Sequence, residues 1–122
     1  MVKLVYVARR RSDLSPEAFR KRWLAHGPLV KEVAKTIRAR KYIQSHTLDT
    51  EVNAQLATPR GMGAPFDGIT EVWWDSLDDL AAAAATLEGQ TAFQRLLDDE
   101  REFVDLADSF VFMTQEHRIF ES

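Results

Sequence analysis

Three segments that read as strands are apolar on both of their alternating faces, and this restricts the fold more than any other feature of the chain. They are Leu4-Val5-Tyr6-Val7-Ala8, Val72-Trp73-Trp74 and Phe110-Val111-Phe112-Met113. Side chains alternate across a strand, so a strand apolar in both sets needs cover on both sides. Helices supply one cover. The remaining sequence is too short to supply the other: 122 residues suit one compact domain, read here as spanning 1–122. The expected second cover is another copy of the same sheet, in a two-fold homodimer packed sheet to sheet. Each half would then keep a cavity between its sheet and its partner.

The order of elements agrees with that frame. A strand is expected over Lys3 to Arg9, then a helix capped by Ser15 with Pro16 at its first position, running to about His26. Gly27-Pro28 is expected to break it, with a second helical piece placing Leu29, Val33 and Ile37 inward. Lys41 to Leu48 reads as a strand with Tyr42, Gln44, His46 and Leu48 on one face. Asp49 to Asp67 reads as a long loop, with a helical turn over Val52 to Ala57, expected to cover the pocket mouth or reach the other subunit. Ile69 to Trp74 is the third strand. A helix starts at Ser76 and ends or breaks at Gly89, and another covers Ala92 to about Leu106. The last strand is expected over Ser109 to Ile119. Strand, helix, strand, strand, helix, strand is the order of an α+β, ferredoxin-like sheet: four antiparallel strands with both helices on one face.

Charge and composition exclude several functions. The net charge of −3 argues against nucleic acid as the main partner. Basic residues crowd the first third, from Arg9-Arg10-Arg11 through Lys41, and acids gather near Asp98-Asp99-Glu100; the basic third is a candidate for attracting an anionic ligand or an acidic partner surface. Without cysteine there is no disulfide, thiolate nucleophile or cysteine-bound metal. No signal-peptide pattern or membrane-length apolar run is found, so the expected location is the cytoplasm, with no membrane partner. Gly61-Met62-Gly63 lacks the strand-to-helix context of a phosphate loop, and no short spacing of metal ligands occurs. No cofactor and no metal are expected.

The chemistry centres on Phe19-Arg20-Lys21-Arg22-Trp23-Leu24-Ala25-His26. Phe19, Trp23 and His26 form the buried stripe of the first helix, which delivers an imidazole to a face that is otherwise apolar. A half-buried histidine is a candidate proton-transfer group, and packing or capping is the alternative.

The chain resembles the EthD-domain proteins of the dimeric α/β-barrel superfamily. The resemblance is carried by Lys3-Leu4-Val5-Tyr6, Ser15-Pro16-Glu17-Ala18-Phe19, Trp23 with His26-Gly27-Pro28-Leu29, Tyr42-Ile43-Gln44-Ser45-His46 and Asp67 through Ser76. Asp99-Glu100 with Phe103-Val104-Asp105, and Glu116-His117, complete it. It implies a ferredoxin-like fold that dimerises through its sheets, with a small-molecule pocket on the sheet side. Superfamily relatives include muconolactone isomerases, polyketide cyclases, fungal dehydratases and cofactor-free monooxygenases. In the methylmuconolactone isomerase branch a histidine in an HxPL-like segment is an acid–base group, which implies that role for His26.

The expected function is a small, cofactor-independent enzyme. It would move protons in an isomerisation, cyclisation or elimination on an apolar, aromatic or polyketide-like small molecule. His26 is the candidate catalytic group; Tyr6, Tyr42, Gln44, His46, Glu71 and Trp73 are candidate substrate contacts. Glu71 either faces the pocket with a raised pKa or pairs with a basic strand residue such as Arg9. Trp73 and Trp74 point to opposite faces, one packing under the helices and the other walling the pocket or dimer core; the sequence does not decide which, and Trp73 is the candidate contact. Cofactor-free monooxygenation and non-catalytic binding of a small molecule remain the alternatives.

Overall fold

The computed structural model describes the whole chain, Met1–Ser122. Four strands form one antiparallel sheet: β1 (Val2–Ala8), β2 (Lys41–His46), β3 (Gly68–Trp74) and β4 (Phe110–Thr114), in the order β2-β3-β1-β4. The helices are α1 (Pro16–Val33), α2 (Val52–Ala57), α3 (Leu77–Ala84) and α4 (Leu87–Glu100), with 3₁₀ turns at Thr58–Arg60 and Leu106–Asp108. This is the ferredoxin-like arrangement. No helix is long and apolar enough to cross a membrane.

The register divides the strand residues cleanly. Tyr6 lies opposite Thr70 and Val111, Gln44 opposite Thr70, and Tyr42 opposite Val72. These residues and Trp74 face the helices, where Val72 and Trp74 pack against Val33, Ile37 and Ala92. Val5, Glu71, Ile43 and Phe112 form one row on the other face, and Lys41, Trp73, Lys3 and Thr114 form the next. No helix of the chain packs on that face, and Phe110 and Phe112 are more than half exposed on it.

α1 is one continuous helix through Gly27-Pro28, so the expected break after His26 does not occur. Proline removes the N–H that would bond the carbonyl four residues earlier, that of Leu24. Leu24 and Pro28 are both exposed, so the freed carbonyl sits on the wet side of the helix, where water satisfies it. The inner stripe Phe19, Trp23, His26, Val30 and Val33 continues undisturbed. His26 therefore sits mid-helix, away from the carbonyls of the C-terminus.

Three further expectations shift. Gly89 neither ends nor interrupts a helix but lies inside α4, whose cap is Thr86; the Thr86 hydroxyl accepts from the Gly89 N–H at 2.9 Å. β2 stops at His46, and β4 stops at Thr114 with the tail leaving the sheet. The tail returns under the open face instead, where the Trp73 indole donates to Glu116 Oε1 at 2.6 Å.

Candidate active site

A cavity of about 230 Å³ lies between the sheet and the helices. It is not on the open face where the pocket was expected. On the open face Lys3 and Lys41 lie over the Trp73 ring. The helix side encloses space because the side chains of α1, α4 and the strands that line it do not fill the gap between helices and sheet. Of 17 lining residues 14 are hydrophobic, so the site favours an apolar ligand body. The polar members are His26, Thr70 and Glu100, joined by the hydroxyl-bearing Tyr6 and Tyr42.

His26 is 4% exposed, and its surroundings fix its tautomer. Nδ1 lies 2.6 Å from Asp99 Oδ2. Arg22 bonds the same carboxylate, one guanidinium nitrogen at 3.3 Å and the other closer. Hydrogen bonding from Arg22 comes first among the causes that hold Asp99 below the usual carboxylate range, and His26 adds to it against burial. An ionised carboxylate only accepts, so Nδ1 carries a hydrogen and donates. Nε2 has no partner in the chain, and no side-chain nitrogen or oxygen is both fully enclosed and unpartnered. Nε2 therefore keeps some accessible surface, and His26 is one of the residues that line the cavity. Phe103 meets the imidazole ring edge-on at 5.5 Å and fixes its plane.

The last turn of α4 carries Asp98, Asp99 and Glu100, with no basic residue in that turn. Acids at the negative end of a helix dipole are unfavourable unless each finds its own remedy. Asp98 takes hydrogen bonds from Arg101 and Gln94. Asp99 takes Arg22 and His26. Glu100 reaches the apolar cavity, where burial pushes its carboxyl up to about 7. The Tyr6 hydroxyl pulls back without an ordinary hydrogen bond between the two, and the Asp99 charge pushes further up. Near neutral pH the site thus holds one carboxyl that is always ionised and another that exchanges a proton.

The expected substrate contacts divide into three groups. Tyr6 and Tyr42 line the cavity with His26; burial is the leading cause that raises both phenols. Gln44 and His46 share the helix-facing side but lie outside the cavity. The Gln44 amide donates to the Trp23 carbonyl at 2.9 Å and to the Tyr42 hydroxyl at 3.0 Å, and its Oε1 accepts from His46 Nε2 at 2.8 Å. The His46 ring stacks on Trp23 at 4.3 Å, and burial lowers its pKa, with Arg20 adding to the shift. Glu71 and Trp73 do not contact the cavity, because the register turns both to the open face; of the two expectations for Glu71, pairing with a basic strand residue is the one that holds. Glu71 pairs with Lys3 Nζ at 2.7 Å, not with Arg9, and the tryptophan that walls the cavity is Trp74. No residue of the 49–67 segment lines the cavity; it folds against the start of α1 around a separate polar groove.

Asp99, Glu100, Thr70 and Trp74 belong to the site but were not singled out from the sequence for it. The signal for the two acids was the run of three carboxylates in one helical turn, which a solvated helix end does not need.

The EthD domain model matches residues 11–107. The chain belongs to the EthD domain family. An EthD-family protein of Bacillus halodurans shares the fold, with TM-score 0.63 and 19% identity over 96% of this chain and 99% of the other. SnoaB of Streptomyces nogalater, a cofactor-independent oxygenase, matches with TM-score 0.60 and 11% identity over 99% and 97% of the two chains. A dimeric ferredoxin-like protein of unknown function from Bacteroides fragilis matches with TM-score 0.58 and 15% identity over 94% and 95%. None of the curated proteins matches this EthD domain. At such identities the neighbours share its fold and carry no reaction over to it.

Proposed function

We propose that this EthD domain is a small, cofactor-independent enzyme that moves a proton on an apolar or aromatic small molecule held between its sheet and helices. The observation that carries the reading is His26, with Nδ1 bonded to an ionised Asp99, Nε2 without a partner in the chain and the residue lining an apolar cavity. That is the geometry of a general base whose orientation and charged form are supported from behind. Nε2 takes a proton from a carbon of the bound molecule, and the imidazolium is held by Asp99, itself held by Arg22. The electron pair left on the substrate moves onto an adjoining oxygen, for which the Tyr6, Tyr42 and Thr70 hydroxyls of the cavity wall are the candidate donors. Return of the proton at another atom, from His26 or Glu100, completes an isomerisation. Departure of a leaving group from the neighbouring carbon makes the reaction an elimination, and attack on a second carbonyl makes it a cyclisation. A carrier of apolar metabolites would need no imidazole aimed into its cavity with a carboxylate behind it.

A second copy of the chain is proposed to cover the open sheet face. Phe110, Phe112 and Ile43 support it by their exposure there.

The test follows exchange of the α-protons of 2-tetralone, a compact ketone, in D₂O by proton NMR. The folded wild-type protein should accelerate exchange, and His26→Ala should lower that acceleration by about 10²–10⁴-fold, the usual loss for such a group. Equal acceleration by folded wild type and His26→Ala would remove His26 from the reaction.

A further inference from the structure

We propose that the cavity selects an uncharged ligand and rejects the carboxylate of the same size and shape. This selectivity rests on the cavity being the ligand site proposed above. The basic third of the chain looked suited to an anion, but none of its lysines or arginines lines the cavity. Arg22, the cation nearest His26, is committed to Asp99 and lies over the Phe103 ring at 5.2 Å. Lys3 and Lys41 are on the opposite face of the sheet, over Trp73. An anion entering the cavity would lose its water, lie beside the Glu100 carboxyl and find no cation but His26, whose positive charge Asp99 already answers.

The polar groups that do line the cavity suit a neutral oxygen-bearing molecule. Gln44 donates to the Tyr42 oxygen, because the backbone carbonyl of Trp23 can only accept and so fixes the amide nitrogen on that side. The Tyr42 oxygen is thereby an acceptor in that bond, and its own hydrogen is left for Thr70 or a ligand oxygen. The volume equals that of about eight waters, which limits the ligand to a small ring system.

Three tryptophans make the test direct. Trp23 and Trp74 line the cavity, whereas Trp73 lies across the sheet. In ¹⁵N-labelled full-length protein at pH 8, the three indole N–H signals are followed while acetophenone, benzamide or benzoate is added, with the Trp73 signal identified in Trp73→Phe. The three probes have nearly the same size; only benzoate is charged. Acetophenone and benzamide should shift the Trp23 and Trp74 signals and leave Trp73 unmoved. Benzoate should need at least about tenfold more to do the same, since its charge is buried without a partner. Glu100→Gln should narrow that gap. Benzoate binding as well as acetophenone, or no probe shifting the two cavity indoles, would overturn the proposal. Binding alone is read, so charge selection without tetralone exchange would sink only the catalytic reading.

Discussion

Asp99 and Glu100 are adjacent residues with opposite electrostatic fates, because one helical step turns the first toward Arg22 and His26 and the second into an apolar cavity. Each makes a prediction. Unfolded Glu100 titrates at its ordinary 4.5 and folded Glu100 at about 7. Between those values the native state binds the extra proton, so stability falls as pH rises through the window and then levels off. Glu100→Gln is neutral throughout and should abolish that slope. At pH 8 it should be more stable than wild type by up to about 3 kcal/mol, read from urea denaturation at pH 5 and pH 8. An identical slope in both proteins would mean that the carboxyl is solvated. Asp99 runs the other way: its lowered pKa contributes stability at neutral pH that is lost as pH falls through the carboxylate range. Asp99→Asn should keep the fold near pH 7 yet lower tetralone exchange by at least about tenfold, because Asn no longer holds Nδ1 as the donor. Undiminished exchange would reduce Asp99 to a packing partner. His26 was legible from sequence through its place on the Phe19–Trp23 stripe. Its partner was not, since Asp99 is 73 positions away and only the packing of α4 on α1 brings them together.

Among the elements, alternation in the strands could be read directly, but not the face each set occupies. Adjacent Trp73 and Trp74 had to point apart; which one looked inward depended on register. Once β3 is paired, Trp73 falls in a row with Lys3 and Lys41, which holds it to the open face. α1 was read as two pieces because Gly27-Pro28 breaks most helices, and the fold escapes this by putting Pro28 outward. Gly89 suggests a stop for a related reason, yet lies inside α4. Its role is close approach: a Cβ there would fall 1.7 Å from the Ala83 carbonyl oxygen, so α3 and α4 meet backbone to backbone. Gly89→Ala should cost about 3 kcal/mol or more, seen as a lowered urea midpoint. Because α4 carries both site acids, the remaining folded protein should also show altered His26 imidazole NMR signals. A variant with wild-type stability would show that the junction relaxes freely.

For the whole molecule, the two-faced apolar strands predict the sheet and its exposed side, and they place a cavity on that exposed side, whereas the apolar cavity within the chain lies under the helices. Apolar alternation reports that a face is covered, not whether the cover leaves a void. That depends on how far α1 and α4 stand off the sheet, which is set by side chains as distant in sequence as Tyr6, Trp74 and Phe93. The uncovered side carries the assembly prediction. Light scattering at micromolar concentration should give twice the chain mass, and Phe112→Asp should halve it, since a charge replaces a ring worth about 1.5–3 kcal/mol when buried. A wild-type monomer with a stable fold would leave Phe110 and Phe112 without a partner.

The three-acid end of α4 also has a meaning for redesign. Any procedure that rewards stability alone, whether heat selection or helix-charge optimisation, will neutralise Glu100 early on, because its carboxyl is buried at the negative end of the helix dipole, whereas Arg22 retains Asp99. The product would be a sturdier scaffold with the same outline and one exchangeable proton fewer. Tolerance at Asp98 and loss of turnover at its two successors would mark where foldability and chemistry part company in this chain.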